Sequence, residues 1–143
     1  MNWRLILYIL ILEIYIYIYI LYINNTNNKI NNQEIKFGDG RYIGEVVNGL
    51  AEGKGIWYGY NGDRYEGEWR NGKSEGKGIY YFNDTEPTAG KRYEGDLRNG
   101  KKEGKGIIYF HNGDRMIGDY YNDKPIGKHV KLTKNGEVQI NNY

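Results

Sequence analysis

Two kinds of charged residue recur at fixed positions along this sequence and are the residues best suited to chemistry. Three glutamates stand at one position of a repeated pattern, and three lysines follow them two residues later: Glu52, Glu75 and Glu103, then Lys54, Lys77 and Lys105. Carboxylates serve acid–base catalysis, and rows of amines bind anionic headgroups. A catalytic pair needs a unique environment, which residues copied with a repeat do not have. The pattern therefore favours binding, and we predict that the chain is not an enzyme.

Other reactive residues are few. The chain has no cysteine and two histidines, His111 and His129, without a second ligand at metal-binding spacing. No glycine-rich phosphate loop opens a helix. We therefore predict no catalytic residue, no metal and no cofactor. The formal net charge is only +2, and this argues against nucleic acid as a partner, because phosphate binding needs a clear basic excess.

The charged residues belong to a repeated unit that predicts a β-hairpin. Residues 65–69 alternate between a Tyr-Gly-Trp side and a glutamate side, which is the period of a strand. The pair Asn71-Gly72 favours a turn, and residues 76–82 alternate again. The same stretch returns at 93–106, and the glycines at 44, 67, 95 and 118 mark intervals of 23, 28 and 23 residues. The five extra residues of the middle interval lie within 84–90.

Glycines and aromatic rings at this period predict the packing. A glycine leaves a bare patch of backbone, and we expect a ring to lie over it. Because a lone hairpin is marginal in water, several must stack and share one apolar face. We predict an all-β fold, an elongated single-layer meander of stacked hairpins, preceded by an N-terminal hydrophobic helix.

The sequence YEGEWRNGKSEGKG at 65–78 and its copy YEGDLRNGKKEGKG at 93–106 closely resemble the MORN (membrane occupation and recognition nexus) repeat. The resemblance covers about 40–136 and implies a scaffold or a phospholipid-binding module. We expect a repeat domain at 37–143 with units at 40–62, 63–90, 91–113 and 114–136. The last unit departs from the pattern at Met116, Asp123 and His129, so we expect it to cap the array.

The first 23 residues differ from the repeats in composition. Residues 5–23 are all Leu, Ile or Tyr except Glu13, and as a helix they reach about 28 Å, close to the hydrocarbon thickness of a bilayer. A membrane anchor is one interpretation of this segment. A translated low-complexity tract and an extra strand, favoured by the Ile-Tyr alternation, are the others. Residues 24–36 are Asn-rich and predict a disordered linker.

Flanking charge suggests an orientation. Arg4 precedes the apolar segment, whereas Lys29, Lys36 and Arg41 follow it. This bias favours a membrane-associated chain with repeats facing the cytoplasm. If the segment is not an anchor, we expect a cytoplasmic or cytoskeletal protein.

Two binding surfaces follow. A shallow aromatic groove is predicted to hold an unidentified protein partner; its residues are Tyr42, Trp57, Tyr65, Trp69, Tyr80, Phe82 and Tyr93. A basic edge is predicted to meet anionic phospholipid, with phosphoinositide headgroups as candidates; its residues are Lys54, Lys77, Lys105, Arg70, Arg98 and Lys101. The open ends of the array also favour a homodimer.

Overall fold

A computed structural model describes residues 3–27, 29–83 and 90–143. It consists of one helix and ten strands. Their bounds are α1 (Trp3–Asn27), β1 (Lys29–Phe37), β2 (Gly40–Val47), β3 (Leu50–Gly59), β4 (Arg64–Arg70), β5 (Lys73–Tyr81), β6 (Gly90–Arg98), β7 (Lys101–Phe110), β8 (Arg115–Tyr121), β9 (Lys124–Leu132) and β10 (Val138–Asn142).

The strands form a single antiparallel sheet in which each strand pairs with its neighbours in sequence, from β1 to β10. Four hairpins of this sheet carry the repeat, and we number them unit 1 (β2–β3), unit 2 (β4–β5), unit 3 (β6–β7) and unit 4 (β8–β9). The predicted fold class, a meander of stacked hairpins after an apolar helix, is confirmed. The five-residue insertion predicted within 84–90 falls largely outside the described residues.

Units 1 to 3 close at an Asn-Gly pair, unit 4 closes at Asn122-Asp123, and all four hairpins bend at an irregularity of pairing. Asn71 and Gly72 have φ of 49° and 73°, the left-handed conformation that these two residue types adopt most easily. The register between β4 and β5 shifts between Gly67 and Glu68. Over this step β4 advances by one residue and β5 by three, so Gly76 and Lys77 have no partner in β4 and the strand bends.

Tyrosine rings lie over paired glycines, as the sequence predicts. Gly67 pairs with Gly78, and an added Cβ on Gly78 would stand 2.3 Å from the hydroxyl oxygen of Tyr65. The Tyr65 hydroxyl donates to the carbonyl oxygen of Glu68 at 3.1 Å. The ring thus takes the volume of two side chains, and its hydroxyl satisfies a carbonyl at the bulge. We call this arrangement the ring slot.

The core is a line of such rings and their neighbours on one side of the sheet. The buried hydrophobic residues are Tyr42, Val46, Ala51, Tyr65, Trp69, Tyr93, Leu97 and Tyr120. The Trp69 ring reaches back to Tyr42 of the preceding unit, with centroids 5.0 Å apart in an edge-on arrangement. Edge-on aromatic pairs contribute about 0.5–1.5 kcal/mol beyond their buried area, so these contacts join successive units.

The recurring glutamates also join successive units. A carboxylate of Glu52 accepts the backbone N–H of Asn71 at 2.9 Å, and Glu75 accepts that of Asn99 at the same distance. Glu103 repeats the contact with Asn122 at 3.2 Å. In each case the carboxylate belongs to one unit and the turn to the next. These residues are therefore structural clamps between units.

The predicted disordered linker is wrong for residues 29–36, and it is also wrong at 24–27, which belong to α1. Strand β1 pairs with β2 over this range, with Ile35 opposite Tyr42. The Phe37 ring stands edge-on to Trp69 at 5.6 Å. The alternation of Ile35 and Phe37 is too short to predict a strand by itself. Their distant aromatic partners stabilise it, and the bulge around Asn32, with φ of 56°, absorbs the irregular residues.

Unit 4 keeps the ring slot with a different ring. His129 is fully buried, and an added Cβ on Gly118 would stand 2.3 Å from its imidazole. Its Nε2 lies 2.9 Å from the carbonyl oxygen of Asp119. Tyr120 and Tyr143 stand edge-on to the imidazole at 5.2 and 4.9 Å. The residue that breaks the repeat in the sequence thus performs the tyrosine's packing role.

Helix α1 carries its large apolar side chains on the surface. Between Ile6 and Asn24 it holds a stretch of 19 residues with mean hydropathy 2.3 and none of it buried. By length and composition this stretch is able to cross a membrane, and no second helix of this kind is present in the described part of the chain.

Candidate functional site

The two sides of the sheet carry different chemistry. One, which we call the aromatic face, bears the ring slots and Trp69. The other, the isoleucine face, bears the residues that alternate with these along each strand. Cross-strand pairing aligns the latter in a row that runs across β2 to β8: Ile43, Ile56, Glu66, Ile79, Glu94, Ile107 and Ile117.

The predicted aromatic groove is wrong for its three ring-slot tyrosines. Tyr42, Tyr65 and Tyr93 are almost completely buried, so a partner cannot reach their rings. Burial, with Glu45 adding to it, raises the pKa of Tyr42 to about 12, and burial likewise raises the pKa of Tyr65 and Tyr93. A ring that fills the space over two glycines has little surface left for a ligand.

The remaining groove residues divide into two groups. Trp69 is buried by its neighbours, whereas Trp57, Tyr80 and Phe82 are half-buried on the aromatic face. Tyr80 donates its hydroxyl to Asp63 at 2.8 Å. Trp57 donates its indole N–H to the carbonyl of Phe37 at 3.2 Å. The accessible aromatic surface is therefore interrupted and does not form a continuous groove.

The three lysines that were predicted to form a row are aligned on one face of the sheet. On the isoleucine face, Lys54 lies opposite Glu68, Lys77 opposite Asp96 and Lys105 opposite Asp119. Lys77 forms an ion pair with Asp96, and Nζ of Lys105 is 3.6 Å from Asp119. Both ammonium groups are well exposed, but each has a carboxylate beside it. The row is thus locally neutral, as interleaved charges on a solvated face tend to be.

Comparison with known protein families agrees with this geometry. The MORN repeat model matches residues 42–64, 65–85 and 93–115. The chain is a MORN repeat protein. The three matches correspond to units 1 to 3, and unit 4 lies beyond them. No curated protein matches the chain.

A feature of the MORN array that sequence reasoning missed is a ladder of arginine and tyrosine on the isoleucine face. The guanidinium of Arg64 lies 4.2 Å from the Tyr81 ring centre, and that of Arg92 lies 4.1 Å from Tyr109. Arg64 also pairs with Glu66 at 2.9 Å. The signal was present in the sequence, because an arginine directly precedes Tyr42, Tyr65 and Tyr93 and the equivalent Met116. Its tyrosine partner follows only from the register.

The other predicted headgroup ligands do not join the lysine row. Arg70, Arg98 and Lys101 flank the Asn-Gly turns. Arg98 approaches Glu103 at 3.9 Å, and Lys101 donates to the side chain of Asn122. These cations lie along the edge of the sheet formed by the turns, whereas Lys54, Lys77 and Lys105 lie on the isoleucine face. The structure therefore divides the six predicted residues between two surfaces.

The largest depression of those characterised on the MORN array lies on the isoleucine face of units 2 to 4, with a volume of about 690 Å³. Its apolar lining is Ile79, Ile107 and Ile117 together with the bare backbone of four glycines. Glu66 and Glu94 stand within it, and Lys77 and Lys105 border it. We call this depression the isoleucine trough. Within the described residues, no cluster of three or more His, Asp or Glu side chains is arranged to hold a metal ion.

Proposed function

We propose that this MORN repeat protein is a non-enzymatic scaffold that binds a protein partner in the isoleucine trough. The observation that carries the proposal is the trough itself, which exposes apolar surface across units 2 to 4. Exposed apolar depressions with polar rims are typical of protein interaction sites. The trough replaces the aromatic groove as the candidate site, because the ring-slot tyrosines are buried.

The charges around the trough define the kind of partner. Glu66 and Glu94 lie in the isoleucine row, and Lys77 and Lys105 lie one row away. A complementary segment has a narrow apolar stripe for the isoleucines, interrupted by basic residues where it meets Glu66 and Glu94. An amphipathic helix presents such a stripe at every third or fourth residue. Charge complementarity of this kind sets orientation more than affinity.

A membrane tether completes the proposal. The apolar stretch Ile6–Asn24 on α1 is long enough to cross a bilayer, and it directly precedes the first strand of the sheet. Anchoring one end of the array would hold its partner near the membrane. We propose that the repeats face the cytoplasm, because positive residues follow the apolar stretch. The sequon that begins at Asn83 tests this orientation, since its glycosylation would place the repeats in the lumen.

The test of the scaffold function is capture of a partner by the full chain in nanodiscs. Proteins bound by the wild type are identified by mass spectrometry, purified and titrated back against the variant Ile79→Lys/Ile107→Lys. The matched control is Ile43→Lys, in the same row but outside the trough. Loss of binding in the trough variant alone supports the proposal. Equal binding by both folded variants refutes it.

Anionic phospholipid is the second candidate ligand, and the alignment of Lys54, Lys77 and Lys105 favours it. Each cation near an anionic surface contributes about 1 kcal/mol when it is unpaired, and the neighbouring carboxylates reduce this. Nanodiscs of neutral lipid carrying the chain are mixed with phosphoinositide vesicles and floated. Salt-sensitive co-flotation that is lost in Lys77→Gln/Lys105→Gln supports headgroup binding, and no co-flotation refutes it.

A further inference from the structure

Lys102 is a cation on the aromatic face with no hydrogen-bond or ion-pair partner for its side chain among the residues that the structure describes. Its Nζ lies 5.3 Å from the ring centres of both Phe82 and Tyr93. The corresponding position in unit 1 is the fully buried Ala51, and in unit 2 it is Ser74. Unit 3 therefore has a long charged side chain at a position where units 1 and 2 have small side chains.

Two hollows lie beside this lysine. The first, of about 230 Å³, is lined by Phe82, Gly90, Lys102, Ile108 and Phe110, and among these described residues only Lys102 is charged. The second, of about 280 Å³, shares Phe82 and Lys102 with the first. Its other lining residues are Asp63, Tyr80, Tyr93, Leu97, Gly100 and Asp123.

Comparison between units explains the first hollow. In unit 1 the indole of Trp57 fills the space above Gly40, where an added Cβ would stand 2.6 Å from its Nε1. In unit 3 the corresponding residues are Ile108 and Gly90, and an added Cβ on Gly90 would stand 3.3 Å from Cγ2 of the isoleucine and 3.5 Å from the Phe82 ring. The isoleucine thus fills this position less tightly than the indole does in unit 1, and the hollow lies beside it.

The carboxylates near Lys102 are engaged elsewhere. Asp63 accepts from the Tyr80 hydroxyl, the Asn83 N–H and the Asn61 amide, at 2.8, 2.8 and 2.9 Å. Asp123 accepts the backbone N–H of Lys102 at 2.8 Å. Burial lowers the pKa of the Lys102 ammonium, and Asp123 opposes this only in part. A carboxylate supplied from outside offsets the cost of burying the charge.

We propose that Lys102 and the two hollows beside it form a binding site for an extended acidic segment of a partner protein, with a glutamate at the lysine and an apolar side chain on either side. Residues i, i+2 and i+4 of an extended segment point the same way. The glutamate carboxylate therefore meets Nζ of Lys102 while its two apolar neighbours enter the hollows. The site lies on the opposite face from the isoleucine trough and does not depend on it.

The test uses the full chain in nanodiscs and two peptides, acetyl-Leu-Ser-Glu-Ser-Leu-amide and the same peptide with glutamine at its centre. Hydrogen bonds to charged groups are worth more than neutral ones, so we expect the glutamate peptide to bind at least tenfold more tightly. Saturation-transfer NMR titration measures both affinities. Equal affinities on the wild-type chain, or no binding of either peptide, overturn the proposal without any mutation.

Two lysine variants localise the effect. Lys102→Met keeps the length and the ring contacts but removes the charge, so we expect it to abolish the preference for glutamate. Lys101→Met, whose lysine is an exposed neighbour bonded to Asn122, keeps the preference. Thermal unfolding checks that both are folded. An undiminished preference for glutamate in Lys102→Met overturns the assignment. So does binding of hexanoate, a simple carboxylate with an apolar chain, at this lysine when the peptide does not bind.

Discussion

Units 3 and 4 fill the same ring slot from different strands. In unit 3, Tyr93 of β6 lies over Gly95 and Gly106 and donates to the carbonyl of Asp96 at 2.9 Å. In unit 4 the first strand supplies Met116, and the ring is His129 of β9, with Nε2 2.9 Å from the carbonyl of Asp119. The comparison shows that the fold requires a flat ring with a polar edge over bare backbone. It does not require a tyrosine at a fixed position.

The two rings differ in how their polar atoms are satisfied. The Tyr93 hydroxyl has its acceptor, whereas one imidazole nitrogen of His129, Nδ1, is buried and has no hydrogen-bond partner in the described part of the chain. A buried polar atom without a partner costs free energy. Unit 4 therefore obtains less stability from its slot than unit 3 does, and the following predictions test this difference.

The largest expected effect comes from emptying the slot of unit 3. Tyr93→Ala removes a fully buried ring and its hydrogen bond, and aromatic truncations in cores cost about 3–5 kcal/mol. We expect thermal unfolding of the sheet to shift accordingly. Tyr60→Ala, at an exposed turn position, is the control and leaves the transition in place. A loss below about 1 kcal/mol for Tyr93→Ala, on the scale of ordinary surface changes, would contradict the ring-slot account.

Emptying the slot of unit 4 is expected to cost less. His129→Ala removes a smaller ring together with one satisfied and one unsatisfied nitrogen, and we expect about 2–3 kcal/mol. The loss is local, so backbone amides of β8 to β10 should exchange faster while those of β2 to β5 keep their protection. Hydrogen exchange followed by mass spectrometry measures both. Uniformly faster exchange over the whole sheet would show that the units are not separable.

Alkaline pH tests the tyrosine-filled slots. The pKa of Tyr42 is raised from 10.0 to about 12 in the folded chain, so the unfolded chain loses this proton first. The stabilisation is complete below pH 10 and is lost as pH rises through about 12. Two pKa steps correspond to about 2–3 kcal/mol. Unfolding temperatures measured from pH 8 to 12 should fall, and the fall should be smaller in Tyr42→Phe.

The smallest effect is expected from replacing the histidine-filled slot of unit 4 by a tyrosine-filled slot like that of unit 3. The double variant Met116→Tyr/His129→Gly rebuilds in unit 4 the arrangement of unit 3, with a tyrosine over two glycines. We expect a net change below about 1 kcal/mol, although each single change destabilises, because the two positions share one slot and couple strongly. A double-mutant cycle from denaturation measurements gives the coupling. Additive single effects would show that the positions act independently.

The parts of the fold that depend on local pattern followed from the sequence. Alternation and Asn-Gly pairs at a fixed period predicted the hairpins, and Gly67 with Tyr65 predicted the ring over glycine. What failed depended on distant partners. Ile35 and Phe37 look too sparse for a strand until Trp69 packs on them, and the slot role of His129 appears only when β9 lies beside Gly118.

The candidate site was less predictable than the fold. Spacing placed Lys77 and Lys105 in one row, but the carboxylates beside them come from the next strand, and their register is not visible in the repeat itself. The same spacing that aligned the tyrosines also buried them, because each ring covers glycines of its own hairpin. The apolar side chains of the isoleucine trough, Ile79, Ile107 and Ile117, lie outside the Tyr-x-Gly and Gly-Lys-Gly segments that define the pattern, although its glycines and glutamates belong to them.

The glutamate clamps give the array a direction. Glu52 of unit 1 holds the turn of unit 2, and Gly72 of that turn donates to the carbonyl of Ala51 at 2.9 Å. Each turn therefore docks on a surface that was completed earlier in the chain. During synthesis the unit on which each turn docks leaves the ribosome before that turn does. The array can therefore assemble unit by unit from the amino end to the carboxyl end. Deleting hairpins from the carboxyl end leaves every remaining turn with the unit on which it docks. Deleting them from the amino end removes the docking surface of the next turn.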